Sequence, residues 1–161
     1  MGAALRYVEP SAVSERPDKS EDIVTTMAPS DPPRQLRFLV VDDTEDMRDV
    51  LVRMIERAGH LAVEAADGVE ATLALSEDRF DVMLLDLSMP RMSGEDVVRW
   101  LHAHPDRADG MRTVIFTAWA GERRGTLQEL GVTTVLAKPF RRQQLIDLIA
   151  DVMTDDHHDS S

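Results

Sequence analysis

Short apolar runs alternate along the chain with longer stretches in which apolar residues recur every three or four positions. The runs are rich in Val, Leu and Ile, and most are apolar throughout instead of alternating with polar residues. Such runs are typical of strands buried on both faces, whereas the three- or four-residue repeat indicates amphipathic helices. The predicted strands lie at 38–41, 61–65, 82–85, 113–116 and 133–136.

The second pattern predicts five helices, one after each strand. Four are marked by apolar faces: Met47, Val50, Leu51, Met54 and Ile55; Val69, Leu73 and Leu75; Val97, Val98 and Leu101; and Leu145, Leu148, Ile149 and Val152. The remaining helix, with the weakest periodicity, runs from about residue 121 to residue 130. Five strands alternating with five helices predict an α/β fold, a doubly wound parallel sheet with helices on both faces.

The two ends of the chain do not follow this pattern. Residues 1–35 are rich in Pro, Ser and charged residues, and we expect a disordered N-terminal extension in which Met27 is a second candidate for the translation start. The folded domain is predicted at 36–153, followed by a flexible acidic tail at 154–161. Since this tail is too short for a DNA-binding module, a stand-alone domain is expected.

Composition excludes several classes of function. The chain has no Cys, which removes disulfides, thiolate catalysis and Cys-based zinc sites. Its net charge of −12 argues against direct nucleic-acid binding. No apolar run approaches the roughly 18 residues of a membrane span, and the N-terminus lacks the apolar core of a signal peptide. The expected location is therefore cytoplasmic, with no membrane contact.

Polar residues follow four of the five predicted strands. Asp42 and Asp43 follow the first strand, Asp86 the third, Thr117 the fourth and Lys138 the fifth. Because ligands of parallel α/β sheets bind outside the carboxyl ends of the strands, we expect these side chains to meet at one edge. Taken alone, the Asp pair has a plainer interpretation as a helix cap. The whole set, each at a strand end, favours a chemical site.

The chemistry of this set points to phosphoryl transfer. Three neighbouring carboxylates raise each other's pKa unless a cation lies among them, and a purely oxygen donor set suits Mg²⁺. A carboxylate in such a site can act as a nucleophile and form an aspartyl phosphate. The metal, the Lys138 ammonium and the Thr117 hydroxyl would then neutralise the phosphoryl oxygens.

The sequence resembles the receiver domain of bacterial two-component response regulators, in particular the stand-alone, chemotaxis-regulator-like ones. The resemblance is carried by VVDD at 40–43, LLDLSMPRMSG at 84–94, TA at 117–118 and KPF at 138–140, and it covers about residues 36–153. It implies a flavodoxin-like sheet in the order 2-1-3-4-5. It also implies a phosphorylation-dependent signalling switch, with self-catalysed phosphotransfer and autodephosphorylation, rather than a conventional enzyme.

The resemblance also implies roles for single residues. Asp86 matches the phosphoacceptor, and Thr117 and Lys138 match the residues that assist phosphotransfer; the Lys138–Pro139 peptide is expected to be cis. The implied Mg²⁺ ligands are the carboxylates of Asp42, Asp43 and Asp86 and the backbone carbonyl of Ser88. The implied donor is a histidine kinase or a histidine phosphotransfer protein. Output is expected through an unidentified protein partner, by a monomer or a phosphorylation-linked dimer.

Three residues near the site are candidates for switching and output. Val135 stands where receiver domains commonly have an aromatic residue whose rotamer follows the Thr, so the usual coupling is not expected here. Ala118 follows Thr117, and Trp119 comes next. For Trp119 two interpretations are open: it packs over the loop, or it shields the acyl phosphate from water or contacts a partner.

Two other functions are compatible with parts of the pattern. A pseudo-receiver scaffold would share the fold, but the complete set of site residues argues against it. An aspartyl-phosphate hydrolase requires a second Asp two residues after the nucleophile. Ser88 occupies that position after Asp86, and Thr44 after Asp42, so the required acid is missing in both cases.

Overall fold

A computed structural model of the chain describes residues 33–118, 121–132 and 134–155. In these residues five strands form one parallel sheet in the order β2-β1-β3-β4-β5. The strands are β1 (Arg37–Val41), β2 (Leu61–Ala65), β3 (Val82–Asp86), β4 (Arg112–Thr117) and β5 (Thr134–Ala137). The helices are α1 (Glu45–Arg57), α2 (Gly68–Glu77), α3 (Gly94–Ala103), α4 (Pro105–Ala108), α5 (Arg124–Glu129) and α6 (Arg142–Asp155).

The predicted α/β fold and its sheet order are confirmed. Each strand lies within a residue or so of its predicted position, because the apolar runs are short and sharply bounded by polar residues. The predicted N-terminal extension and acidic tail fall largely outside the described residues, and they stay predictions. No helix in the described part of the chain is long and apolar enough to cross a membrane.

Two apolar layers cover the two faces of the sheet. Along β1, Leu39 and Val41 face one layer and Phe38 and Val40 face the other, as the two-residue period of a strand requires. The first layer is closed by buried side chains of α2, α3 and α5, and the second by those of α1 and α6. All five residues of β3 are buried, since this strand lies at the centre of the sheet.

Parts of the predicted helix faces are wrong. Val50, Val69 and Leu73 belong to the predicted apolar faces, yet they are 51%, 48% and 58% exposed. In α2, Ala71 and Leu75 are buried and pack beside the edge strand β2. Val69 and Leu73 are each two residues from a buried one, which is about half a turn around the helix, so they face away from the sheet. Apolar spacing predicts that apolar pairs lie on the helix, but which of them faces the core depends on how the helix is rotated against the sheet.

Two helical segments also differ from the prediction. The helix expected at about 121–130 is shorter, and its α-helical part is α5. The single-turn helix α4 was not predicted; it begins at Pro105, a residue that is favourable at the first helical position because its ring presets φ.

Candidate functional site

Three carboxylates lie together at the carboxyl edge of the sheet. One oxygen from each of Asp42, Asp43 and Asp86 falls within 4.8 Å of the others. Strands β1 and β3 are neighbours with Val41 opposite Leu85, so the residues that follow emerge side by side. Asp42 is 0% exposed and Asp86 5% exposed, whereas Asp43 is open to solvent. Two of the three carboxyl groups are therefore buried, and the third lies on the solvent side of the cluster.

Lys138 brings a positive charge to these carboxylates from the far edge of the sheet. Its Nζ donates to Oδ2 of Asp42 at 2.8 Å and lies 3.5 Å from Oδ2 of Asp86. The ammonium is also 4.8 Å from the centre of the Phe116 ring, and the side chain is only 19% exposed. The Lys138 backbone N–H donates to the carbonyl of Thr117 at 3.0 Å, and its peptide bond to Pro139 is cis, as expected. Lys138 thus bridges the two buried carboxylates.

The environment of Asp86 raises its pKa above the ordinary value. Burial is the main cause, and the charges of Asp42 and Asp43 act in the same direction. The Lys138 ammonium and a hydrogen bond from the Ser88 N–H oppose the rise in pKa. That N–H lies 3.4 Å from Oδ1 of Asp86. A second cation at this site would favour the ionised, nucleophilic form of Asp86.

Asp42 is fixed through both its side chain and its backbone. Its Oδ1 accepts the Thr44 N–H at 2.8 Å, and its carbonyl accepts Nη1 of Arg48 at 2.7 Å. The Nε of Arg48 also donates to Glu64 at 3.2 Å, so this arginine ties α1 to the edge strand and to the acidic pair. Sequence reasoning missed Arg48, because an arginine on an amphipathic helix has no local feature that distinguishes it from a solvated one.

Thr117 and Val135 occupy neighbouring strands. Thr117 ends β4, opposite Ala137 of β5, and is fully buried, while Ala118 after it is exposed. Val135 lies in β5 opposite Ile115 and is 38% exposed. Trp119 lies outside the described residues, so its predicted role stays a prediction.

The loop from residue 87 to residue 93, here called the 87–93 loop, connects Asp86 to α3 in a tight turn. A Cβ on Gly94 would overlap the carbonyl oxygen of Asp86 and lie 2.9 Å from Cα of Leu87. The Gly94 N–H donates to the Leu87 carbonyl at 3.1 Å, and Ser93 caps α3 in a reciprocal capping box with Asp96. The first turn of α3 therefore presses directly on the backbone of Asp86.

Comparison with known proteins identifies the family. Residues 38–150 match the model of the response regulator receiver domain. The chain belongs to this family. Receiver domains are signalling regulators, and the observed sheet order is the one the family resemblance implied.

Individual relatives agree with this assignment. The receiver is 36% identical over 124 residues to the sensory/regulatory protein RpfC of Xanthomonas campestris pv. campestris, covering 74% of this chain but only 17% of that protein. The chemotaxis response regulator CheY4 of Vibrio cholerae is 28% identical, with a TM-score of 0.68 over 74% of this chain and 99% of that one.

A third relative supports the fold alone. It is the receiver domain of the sensor histidine kinase PA1611 from Pseudomonas aeruginosa, 24% identical, with a TM-score of 0.68 over 75% of this chain and 99% of that one. That receiver domain has a magnesium ion coordinated in its active site cleft.

Proposed function

We propose that this receiver is a phosphorylation-dependent signalling switch in which Asp86 accepts a phosphoryl group from a phosphohistidine. The observation that carries the proposal is the cluster of three carboxylates at the sheet edge, two of which, those of Asp42 and Asp86, contact the Lys138 ammonium. A merely structural strand end has no need for a buried carboxylate whose pKa is raised, since such a group costs stability when it is ionised.

In the proposed reaction an ionised oxygen of Asp86 attacks the phosphorus of the donor. A P–O bond forms as the P–N bond of the phosphohistidine breaks, and the electron pair of that bond stays on the donor's imidazole nitrogen. Lys138, already 3.5 Å from Asp86, is placed to neutralise a phosphoryl oxygen, and the Thr117 hydroxyl is the proposed hydrogen-bond donor to another. Hydrolysis of the resulting acyl phosphate would reset the switch.

The residues present fit a Mg²⁺ ion. The donor set consists of hard oxygen atoms without His or Cys, and two of its carboxylates are buried, which leaves negative charge that a divalent cation would balance. Asp42, Asp43, Asp86 and the carbonyl of Ser88 would hold it. When bound, Mg²⁺ would neutralise the carboxylates and the phosphoryl oxygens during transfer. The magnesium ion in the PA1611 receiver supports this proposal.

The proposed donor is a histidine kinase or a histidine phosphotransfer protein, and the proposed output is a contact with another protein, by a monomer or a phosphorylation-linked dimer. Val135 and Trp119 are proposed to modify the output, because Val135 lacks the ring that would follow Thr117. A pseudo-receiver scaffold is the competing function, and labelling with acetyl phosphate separates the two.

Labelling with radioactive acetyl phosphate tests the proposal. We expect Mg²⁺-dependent, alkali-labile labelling of the wild type and none of Asp86→Asn. Asp78→Asn is the matched control, since Asp78 follows the far end of α2 and its carboxylate pairs with Arg37 instead of lying at the site. Labelling of Asp86→Asn at the wild-type level would refute the phosphoacceptor assignment. A wild type that takes no label, and shows no NMR shifts around Asp86 with Mg²⁺ and beryllofluoride, would favour the scaffold.

A further inference from the structure

A charged contact outside the proposed reaction joins the 87–93 loop to the turn before α2. Nη2 of Arg91 donates to Oδ2 of Asp67. The side chain of Asp67 is 3% exposed, and its other oxygen accepts the Glu70 N–H at 2.9 Å, which caps α2. Because a buried carboxylate is costly unless it is paired and hydrogen-bonded, Arg91 and the cap together account for its burial. Asp67 is therefore a fixed anchor rather than a mobile surface acid.

The backbone of Arg91 supports the importance of its side chain. With φ of 66°, Arg91 is the only non-glycine residue at positive φ within the part of the chain that the structure describes. A Cβ is disfavoured in this left-handed region, where Gly or Asn is the usual residue. In this conformation the Arg91 side chain is 65% exposed, and its Nη2 reaches the buried carboxylate of Asp67.

The residues next to this pair are also in close contact. A Cβ on Gly68 would lie 2.6 Å from the carbonyl oxygen of Met92 and 2.7 Å from its Cβ, so the two backbones meet where only glycine fits. Two consecutive residues of the 87–93 loop, Arg91 and Met92, thus lie against the N-cap of α2 and its first residue, Gly68. The 87–93 loop therefore meets the start of α2 at two adjacent points, one of close packing and one of charge.

The turn before α2 is also connected to the acidic pair. The N–H of Asp42 donates to the carbonyl of Ala65 at 3.2 Å, two residues before Asp67. The end of β2, which leads into the turn that Arg91 contacts, is therefore hydrogen-bonded to Asp42. A short path of contacts therefore leads from Asp42 through Ala65 and Asp67 to Arg91, which is in the same loop as Ser88.

We propose that Arg91 and Asp67 are positioning residues for the metal site. Their contact holds the 87–93 loop at a fixed distance from the acidic pair, and so places the carbonyl of Ser88 where it can complete the donor set. The inference rests on the proposed function. Without the contact, the carboxylates stay on their strand ends while the Ser88 carbonyl moves, so Mg²⁺ binds more weakly.

A Mg²⁺ titration of the full chain, followed by backbone amide NMR without a phosphodonor, tests this. We compare Arg91→Ala, Asp67→Asn and the double variant; Asn keeps the ability to cap α2 while it loses the charge. Each single change is expected to raise the Kd for Mg²⁺ by the same factor, roughly three- to tenfold. This is at or below the usual effect of replacing a residue that orients a metal ligand. The double variant should bind no more weakly than the singles, because one contact is lost in all three.

Further variants separate this role from general charge or stability effects. Arg91→Lys keeps the charge and should retain most of the Mg²⁺ affinity. Arg99→Ala removes an equal charge from an exposed ion pair with Asp96 on α3, and should leave the Kd unchanged. If Arg91→Ala does not fold, Asp67→Asn and Arg91→Lys carry the comparison.

The outcomes distinguish this inference from the proposed function. Wild-type Mg²⁺ affinity in the Arg91 and Asp67 variants, with only a lower Tm, would show a purely structural contact and overturn the inference. A Kd for Mg²⁺ that rises in the double variant by the product of the two single-variant factors would also overturn the inference. Normal labelling of the wild type alongside either result leaves the proposed function standing, whereas a wild type that binds Mg²⁺ but takes no label contradicts the proposed function alone.

Discussion

Replacing Gly94 by alanine tests whether the first turn of α3 really presses on the backbone of Asp86. The added Cβ would overlap the Asp86 carbonyl oxygen and lie 2.9 Å from Cα of Leu87. Since these are backbone atoms, no side-chain rotation can relieve the overlap. Overpacking of this kind costs roughly 1–3 kcal/mol, while the better helix propensity of Ala returns at most about 1 kcal/mol. We expect a net loss of stability of roughly 1–2 kcal/mol, a fall in Tm of about 3–10 °C.

The assay is thermal unfolding followed by circular dichroism, together with acetyl phosphate labelling. Gly125→Ala is the control, because Gly125 lies in α5 and a Cβ there would meet nothing within 4 Å. The control should be neutral or stabilised by up to about 1 kcal/mol. Labelling should slow in Gly94→Ala, since the loop must shift, and stay normal in Gly125→Ala. A Tm of Gly94→Ala at or above that of the wild type would refute the reasoning, as would an equal loss in both variants.

Two further predictions concern buried titratable groups. His60 accepts the Leu36 N–H on Nδ1 at 3.2 Å, and burial, partly opposed by Asp81, lowers its pKa below 6.5. As pH falls below 6.5, His60 in the unfolded chain takes up a proton more readily than in the folded chain, so the free energy of unfolding should fall. His60→Gln should flatten this pH dependence in denaturant titrations. An unchanged dependence of the unfolding free energy on pH would contradict the prediction. Asp86, with its pKa raised mainly by burial, destabilises the fold once it is ionised. In Mg²⁺-free buffer at neutral pH, Asp86→Asn should therefore melt above the wild type, and a lower Tm would argue against this.

The sequence by itself determined the strands, the fold class and the set of residues at the carboxyl edge. Short apolar runs bounded by polar residues predict strands wherever they occur, because burial on both faces requires such runs. Once the strands were parallel, the positions of Asp42, Asp86, Thr117 and Lys138 at their ends followed from the chain direction alone. The sheet order and the residue roles came from the family resemblance, since periodicity carries no information on which strands are neighbours.

Only the tertiary structure decided which residues touch across loops and which helix positions face solvent. Lys138 lies nearer to Asp42 than to Asp86, and the Arg91–Asp67 contact joins residues 24 positions apart. Neither distance can be obtained from local spacing, because it depends on how separate loops pack above the sheet. Likewise Leu73 is spaced four residues from the apolar Val69 in α2 yet is 58% exposed, since the opposite side of that helix, with Leu75, faces the sheet. Periodicity describes one segment at a time, whereas contacts and burial depend on what lies opposite.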